Sequence, residues 1–273
     1  MWIPDFQTCK LPEMFSKEDI EGRNLFYKSL VRRRDAVILS SEDCKSDFIN
    51  LYGADEKLVC VLHFVSAIQN IVSNLDEKTE SEVLQKYGLY NTKYAVIMNQ
   101  FWQHKNHIIV LEAMKELFKN NNCEAFQFVF TGKVSDYRSP DYINRIKKMF
   151  KDKDIADHSL LLGFVNRVEQ IILMKNSQFV IQPSLFEGWG TVVEDAKVLD
   201  KTILLSDIPV HNEQKSDKCI LFDPYNSKQL ANLIEKEMKK DHFDNVSNGV
   251  DDMVRRAEEY TIDFEQFIDN LKG

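Results

Sequence analysis

Short apolar runs alternate with amphipathic stretches along most of the chain. Tyr94–Met98, Phe126–Thr131, Ser159–Leu162, Phe179–Gln182, Thr202–Ser206 and Cys219–Phe222 are brief and rich in Val, Ile, Leu and Phe, and a segment with helical periodicity separates each from the next. Such runs predict strands buried on both faces, and their alternation with helices predicts a parallel sheet. Upstream, the pattern predicts a helix over Glu18–Arg34, a strand over Ala36–Ser40, a capped helix over Ser41–Tyr52 and a strand over Lys57–Phe64. A polar stretch, Gln69–Lys86, interrupts the rhythm. The expected fold class is α/β: a complete doubly wound, Rossmann-like domain of about 180 residues after that stretch, and a partial one before it. Two strands and two helices are too few to bury both faces of a sheet. Val37, Ile38, Leu39, Val59 and Val61 are therefore expected to leave an apolar face and an open edge, which recruit partners.

Composition narrows the classes. Of 273 residues, 44% are hydrophobic and 29% charged, enough apolar material for a folded core. Lys plus Arg number 35 against 43 Asp plus Glu, a net charge of −8. The basic footprint of nucleic-acid binding is missing. Trp2-Ile3-Pro4-Asp5 has neither the basic nor the apolar region of a signal peptide, and no run reaches the roughly 18 apolar residues of a spanning helix. Cys9, Cys44, Cys60, Cys123 and Cys219 form no Cys-x-x-Cys pair and have no histidine at ligand spacing, which argues against structural zinc and fits a reducing cytoplasm. Only nine glycines occur, about half the average usage, so closely spaced ones are informative.

Ligands of doubly wound sheets bind outside the carboxyl ends of the strands, which directs attention to four loops. Asn99–His107 follows one strand and leads into a helix near Ile108. Lys105 at that helix mouth reads as a phosphate ligand or, more simply on position alone, as a solvated surface lysine. Pro183–Ala196 carries Gly188 and Gly190 on either side of Trp189, a turn where backbone N–H groups can approach a phosphate. Glu187 and Asp195 flank that turn and read as acceptors for sugar hydroxyls. The remaining loops are Gly163-Phe164-Val165-Asn166-Arg167 and Ser206–Glu213.

Together these residues resemble the retaining glycosyltransferases of family 4, which have the GT-B fold. The resemblance rests on FEGWGTVVEDAKVL (186–199), ILLSDIPVHNEQ (203–214), NQFWQHKNH (99–107) and LLGFV (161–165), in the family's order, and continues through WIPDFQ (2–7), LPEMFS (11–16) and DAVILSSEDCKSDF (35–48). It implies that Glu187 sits at the donor sugar. Gly188, Trp189, Gly190, Thr191 and Val192 would lie near the sugar and diphosphate. Asp195, in place of the family's second Glu, would take the nucleotide ribose, Lys105 the diphosphate, and Gly163, Phe164 and Val165 the base. Gln100 stands where relatives carry Arg, and Thr8 where many carry His. The implied division is 1–70, the end of an acceptor-binding domain; 71–252, the nucleotide-sugar domain; and 253–273, with a helix over Met253–Leu271 that crosses back.

The resemblance implies a transferase moving a sugar from a nucleotide-diphosphate sugar, a co-substrate rather than a cofactor, to a glycan, lipid-linked or polysaccharide acceptor. No metal is expected, with Lys105 and backbone amides facing the leaving diphosphate. A nucleotide-sugar-binding half of a split or truncated enzyme is the alternative, and a nucleotide-sugar epimerase on the same architecture a third. Expected partners are the nucleotide sugar and the acceptor, with self-association or a complementing N-terminal polypeptide and peripheral contact with the inner face of a membrane as further expectations.

Overall fold

A computed structural model describes residues 1–119, 125–240 and 246–272, and the side chains of all of these except 247 and 248. Cys123 lies outside the described residues. In the first part of the chain β1 (Trp2–Ile3), α1 (Gln7–Lys10), α2 (Lys17–Arg33), β2 (Val37–Leu39), α3 (Glu42–Tyr52) and β3 (Val59–Val61) follow one another. The strands form a parallel sheet in the order β1-β2-β3. Then come α4 (Gln69–Ser73), α5 (Glu77–Lys86), β4 (Lys93–Met98), α6 (His107–Phe118), β5 (Phe126–Thr131), α7 (Pro140–Met149), α8 (Lys153–Ala156) and β6 (Ser159–Gly163). The chain continues with α9 (Arg167–Lys175), β7 (Phe179–Gln182), α10 (Thr191–Val198), β8 (Ile203–Ser206), α11 (Pro209–Gln214), β9 (Cys219–Phe222), α12 (Ser227–Met238) and α13 (Val246–Lys272).

All six expected strands of the second part form a parallel sheet in the order β6-β5-β4-β7-β8-β9. Chain direction across the sheet reverses between β4 and β7, so the crevice outside their carboxyl ends is the natural ligand site. Alternation puts the two faces of β4 into different cores. Ala95 and Ile97 pack with Phe128, Val110 and Ile234, whereas Tyr94, Val96 and Met98 pack with Ile171, Val193 and Leu205.

Three expectations change before β4. The first part has three strands, because the two residues of β1 pair with Ile38 and Leu39; a run that short carries no periodicity. Its apolar residues are better covered than expected. Val37, Leu39 and Val59 are buried with Phe6, Tyr27, Leu30 and Phe48, and only Ile38 and Val61 stay half-buried. The polar stretch 69–86 holds two helices, α4 and α5; Asp76 caps α5 by accepting from the Thr79 N–H at 2.8 Å, and Leu84 rests on the second core.

Helix ends follow local chemistry. Ser16 caps α2 and Ser41 caps α3, each accepting from the amide three residues on at 3.1 Å. The last helix begins earlier than expected, at Val246, and is one continuous rod. Its Met253 sits in the core of the six-stranded sheet, and Arg256 pairs with the fully buried Glu194 of α10. Farther along, Asp263 helps push up the pKa of Cys60 in β3, after burial itself. The rod thus packs on the six-stranded part and runs close enough to the first part for the charge of Asp263 to be felt at Cys60. Among the described residues no helix is long and apolar enough to cross a membrane.

Candidate active site at the strand-order reversal

The loops after β4 and β7 meet over the reversal point through a chain of polar contacts. The Asn99 amide donates to Gln182 Oε1 at 2.8 Å, and Gln182 Nε2 donates to Glu187 Oε1 at 2.9 Å. Ser184 Oγ donates to the same oxygen at 2.7 Å. Lys105 Nζ donates to both Glu187 oxygens, at 2.6 and 2.7 Å. Lys105 reaches this position from a short 3-10 turn, Gln103–Lys105, which ends at Asn106 with φ 54°. Asn tolerates that left-handed conformation, and its side chain ties the turn down by donating to the Pro183 and Pro224 carbonyls.

Glu187 is buried, yet its carboxyl pKa lies below the ordinary value. Burial pushes it up most strongly, but Lys105, the nearby His211 and the Lys105 and Ser184 hydrogen bonds together outweigh that push. His211 is held neutral, its pKa pulled down to about 4 by burial despite the attraction of Glu187. Its Nδ1 lies 2.9 Å from the Ser206 carbonyl, so that nitrogen carries the proton.

Two cavities flank the Lys105–Glu187 pair. The first, about 300 Å³, is lined by Gln100, Lys105, Phe164, Val165, Thr191 and Val192 of the expected residues. It also takes in residues given no role in the sequence, chiefly Asn99, Trp102, Gly132, Arg167 and Gln170. The second, about 230 Å³, is lined by Lys105, Glu187, Gly188 and Trp189 together with Pro4, Asp5 and Gln7 of the N-terminal segment. The amino end of α10 has no side-chain cap. Thr191 and Val192 there stand on the wall of the first cavity, where helix N–H groups favour an anion.

Several expected residues do other work. A Cβ on Gly188 would stand 2.1 Å from the Pro4 carbonyl oxygen, so this glycine is required by packing against the N-terminal segment. Gly190 is held by Gln214, which accepts from its N–H at 3.1 Å and donates to its carbonyl at 2.8 Å. Trp189 stacks on His63 at 4.4 Å and donates to the Phe64 carbonyl. The Gly163 carbonyl accepts from Gly132 N–H at 2.7 Å. Gln100 Oε1 accepts from Lys133 N–H at 2.9 Å. Asp195 lies behind the cavity wall: Arg167 grips both its oxygens at 2.6 Å, and Ser66 donates to one. The group that Asp195 presents to the first cavity is therefore its partner, Arg167.

Gly132 could have been found from the sequence. It directly follows β5, its φ is +119°, and a Cβ there would meet the Asn99 carbonyl oxygen at 2.2 Å. Scarcity of glycine made it as informative as the pair at 188 and 190. Gln7 and His104 could not have been paired from spacing. They are 97 positions apart, and the Gln7 amide nitrogen lies 3.0 Å from His104 Nδ1.

Comparison with known proteins bears on the family and the fold. The family described as glycosyl transferases group 1 matches residues 80–259, which include the six-stranded sheet. The O-antigen chain mannosyltransferase RfbU of Salmonella typhimurium is 22% identical over 208 residues, 76% of this chain and 52% of that protein. The chain thus spans about half the length of this curated relative. Among solved structures, Anabaena HepE in complex with UDP and glucose superposes with a TM-score of 0.77, covering 99% of this chain and 70% of that one at 17% identity. A glycosyltransferase from Rickettsia africae gives 0.76, covering 92% and 68% at 18% identity. These likenesses carry the GT-B fold. The chain belongs to the glycosyl transferases group 1 family.

Proposed function

We propose that this protein transfers a sugar from a nucleoside-diphosphate sugar to a glycan, lipid-linked or polysaccharide acceptor, with retention at the anomeric carbon. The observation that carries the reading is the Lys105–Glu187 pair at the reversal point, shared by two cavities. The first cavity, with the amino end of α10 on its wall, suits the nucleoside diphosphate. The second suits the sugar and the incoming hydroxyl. As the bond from the anomeric carbon to the diphosphate breaks, Lys105 and the α10 amides face the growing negative charge. The four contacts on Glu187 leave its carboxylate poorly placed to attack carbon. The new bond then forms on the face that the diphosphate leaves, and a diphosphate oxygen takes the acceptor's proton. HepE in complex with UDP and glucose, and RfbU as a mannosyltransferase, support a hexose donor.

Support for units at 1–70 and 71–252 comes from the separate three- and six-stranded sheets, whereas the rod taken as the third unit, 253–273, starts at Val246 within the second. Edge strands β1 and β3 favour self-association or a complementing polypeptide, which light scattering reads directly. Leu25 and Phe26, exposed on α2 beside Lys28, favour peripheral contact with a membrane face in the cytoplasm.

Calorimetric titration with a panel of nucleoside diphosphates and their hexoses tests the reading. Binding of a nucleotide sugar, with a Glu187→Gln variant weakened for the sugar nucleotide but not for the bare diphosphate, is the expected result. Absence of binding by every member of the panel would overturn it. Binding without turnover would favour a nucleotide-sugar-binding half that needs a second chain.

A further inference from the structure

A third cavity, about 820 Å³, opens beside the first two, and Trp102 lines all three. It runs between α2 and the segment after β5. Four cations face it: Arg23, Lys133, Arg138 and Lys147. The one carboxylate in its wall, Asp136, is nearly inaccessible and already bound by Arg138, whose Nε and backbone N–H each donate at 3.0 Å. Arg138 is further fixed over the rings of Phe15, at 5.6 Å, and Trp102, at 5.3 Å. Among the described residues, Lys133 and Lys147 have no ion pair. Counting Asp136 against the four cations leaves three net positive charges in one groove of a chain whose overall charge is −8.

Unpaired cations gathered on a concave surface repel one another, and an anion relieves that repulsion. The kind of anion follows from the donors. Arg138, whose planar fork suits a carboxylate, is occupied by Asp136, whereas the free groups include two lysines, compact charges that suit the outward-pointing oxygens of a phosphate. Phe15, Trp102 and the almost fully exposed Tyr137 add flat apolar faces beside the charges. We propose that this groove binds a phosphate or diphosphate group carried by the acceptor, and that it feeds the acceptor past Trp102 to the second cavity. This rests on the transferase reading above and names the acceptor's chemical class.

The test is an amide-resolved NMR titration of the full chain with inorganic pyrophosphate and, separately, with geranyl diphosphate. Amides of residues 133–147 should shift and saturate with both probes. In a Lys133→Glu/Lys147→Glu variant that response should be at least tenfold weaker, while Lys133→Arg/Lys147→Arg should preserve it. Amides of residues 190–193 report the donor site independently, so their silence would count against the transferase reading alone. Tighter binding of geranyl diphosphate supports a lipid-linked source, and equal binding supports a water-soluble sugar phosphate. Amides 133–147 that stay still, or that respond equally in the charge-reversed variant, overturn the proposal.

Discussion

Glu187 is a buried carboxylate held by Lys105, Gln182 and Ser184, and the proposed function also sets it at the donor sugar. On the proposed reading, truncating Lys105 removes a donor from the diphosphate, and it also leaves Glu187 buried without its cation. Lys105→Ala should weaken nucleoside-diphosphate binding by about 1.5–3 kcal/mol, the worth of a charge-assisted hydrogen bond, with nucleoside binding nearly unchanged. It should also cost roughly 3–5 kcal/mol of stability, as breaking a buried pair does. Adding Glu187→Gln should restore most of the stability and none of the diphosphate affinity. Urea denaturation alongside calorimetry separates the two, and a double variant that regains affinity would sink the phosphate role of Lys105. The buried imidazoles set the acid response. His104 and His211 have pKa values pulled down to about 4 and His107 to about 3, mainly by burial. Unfolding lets each bind a proton near its ordinary pKa of 6.5. Their contribution is therefore complete above that value and fades as pH falls toward 4, by roughly 1 kcal/mol per pH unit for each ring. Glu187 adds a second loss below the usual glutamate value, because its folded pKa is the lower one. Melting temperature across pH 7 to 4 should fall, and His107→Phe, whose ring can keep the 4.0 Å stack on Phe101, should flatten the slope.

At the scale of elements, what was legible was whatever repeats. Six strands of the second sheet could be read to within a residue or so because continuous Val, Ile and Phe runs have no other stable home. The loops at their carboxyl ends followed from topology, and Lys105 and Glu187 with them. β1 escaped because two residues hold no pattern, and α5 because a helix with one modest apolar stripe reads as a polar linker. Roles assigned to Gly188 and Asp195 shift once distant residues appear: Pro4 fills the space at one, Arg167 and Ser66 cover the other. Contacts across that much chain leave no local trace. The docking of α13 provides an element-scale test. Ala inside a helix normally gains roughly 0.5–1 kcal/mol over Gly. At Gly249, however, a Cβ would meet the Val198 and Lys197 carbonyl oxygens at 2.3 and 2.6 Å. Backbone cannot step aside as a side chain can, so overpacking of about 1–3 kcal/mol should win. Gly249→Ala should lower the melting temperature and speed amide exchange along α13; a stabilised variant would show that the rod shifts freely on α10.

Across the whole molecule, one of the contacts that join the two parts of the chain is a helix cap made from outside. Glu213 of α11 accepts from the Glu42 and Asp43 amides at the start of α3, both at 2.8 Å, and faces His63 at 3.3 Å. A carboxylate there satisfies two free N–H groups and complements the helix dipole. Glu213→Ala should cost about 1–2 kcal/mol, with exchange of the α3 amides rising before those of β4. Equal protection in both regions would place the cap's importance elsewhere. The close fit of Gly188 against Pro4 has a consequence for timing. The loop bearing Glu187 is braced by the N-terminal segment, so separation of the halves would leave that loop without its support. A donor arriving at an open molecule should wait, unspent, until the halves meet. Contact between Gly188 and Pro4 would then act as a clock, starting the reaction only when the acceptor side is in place.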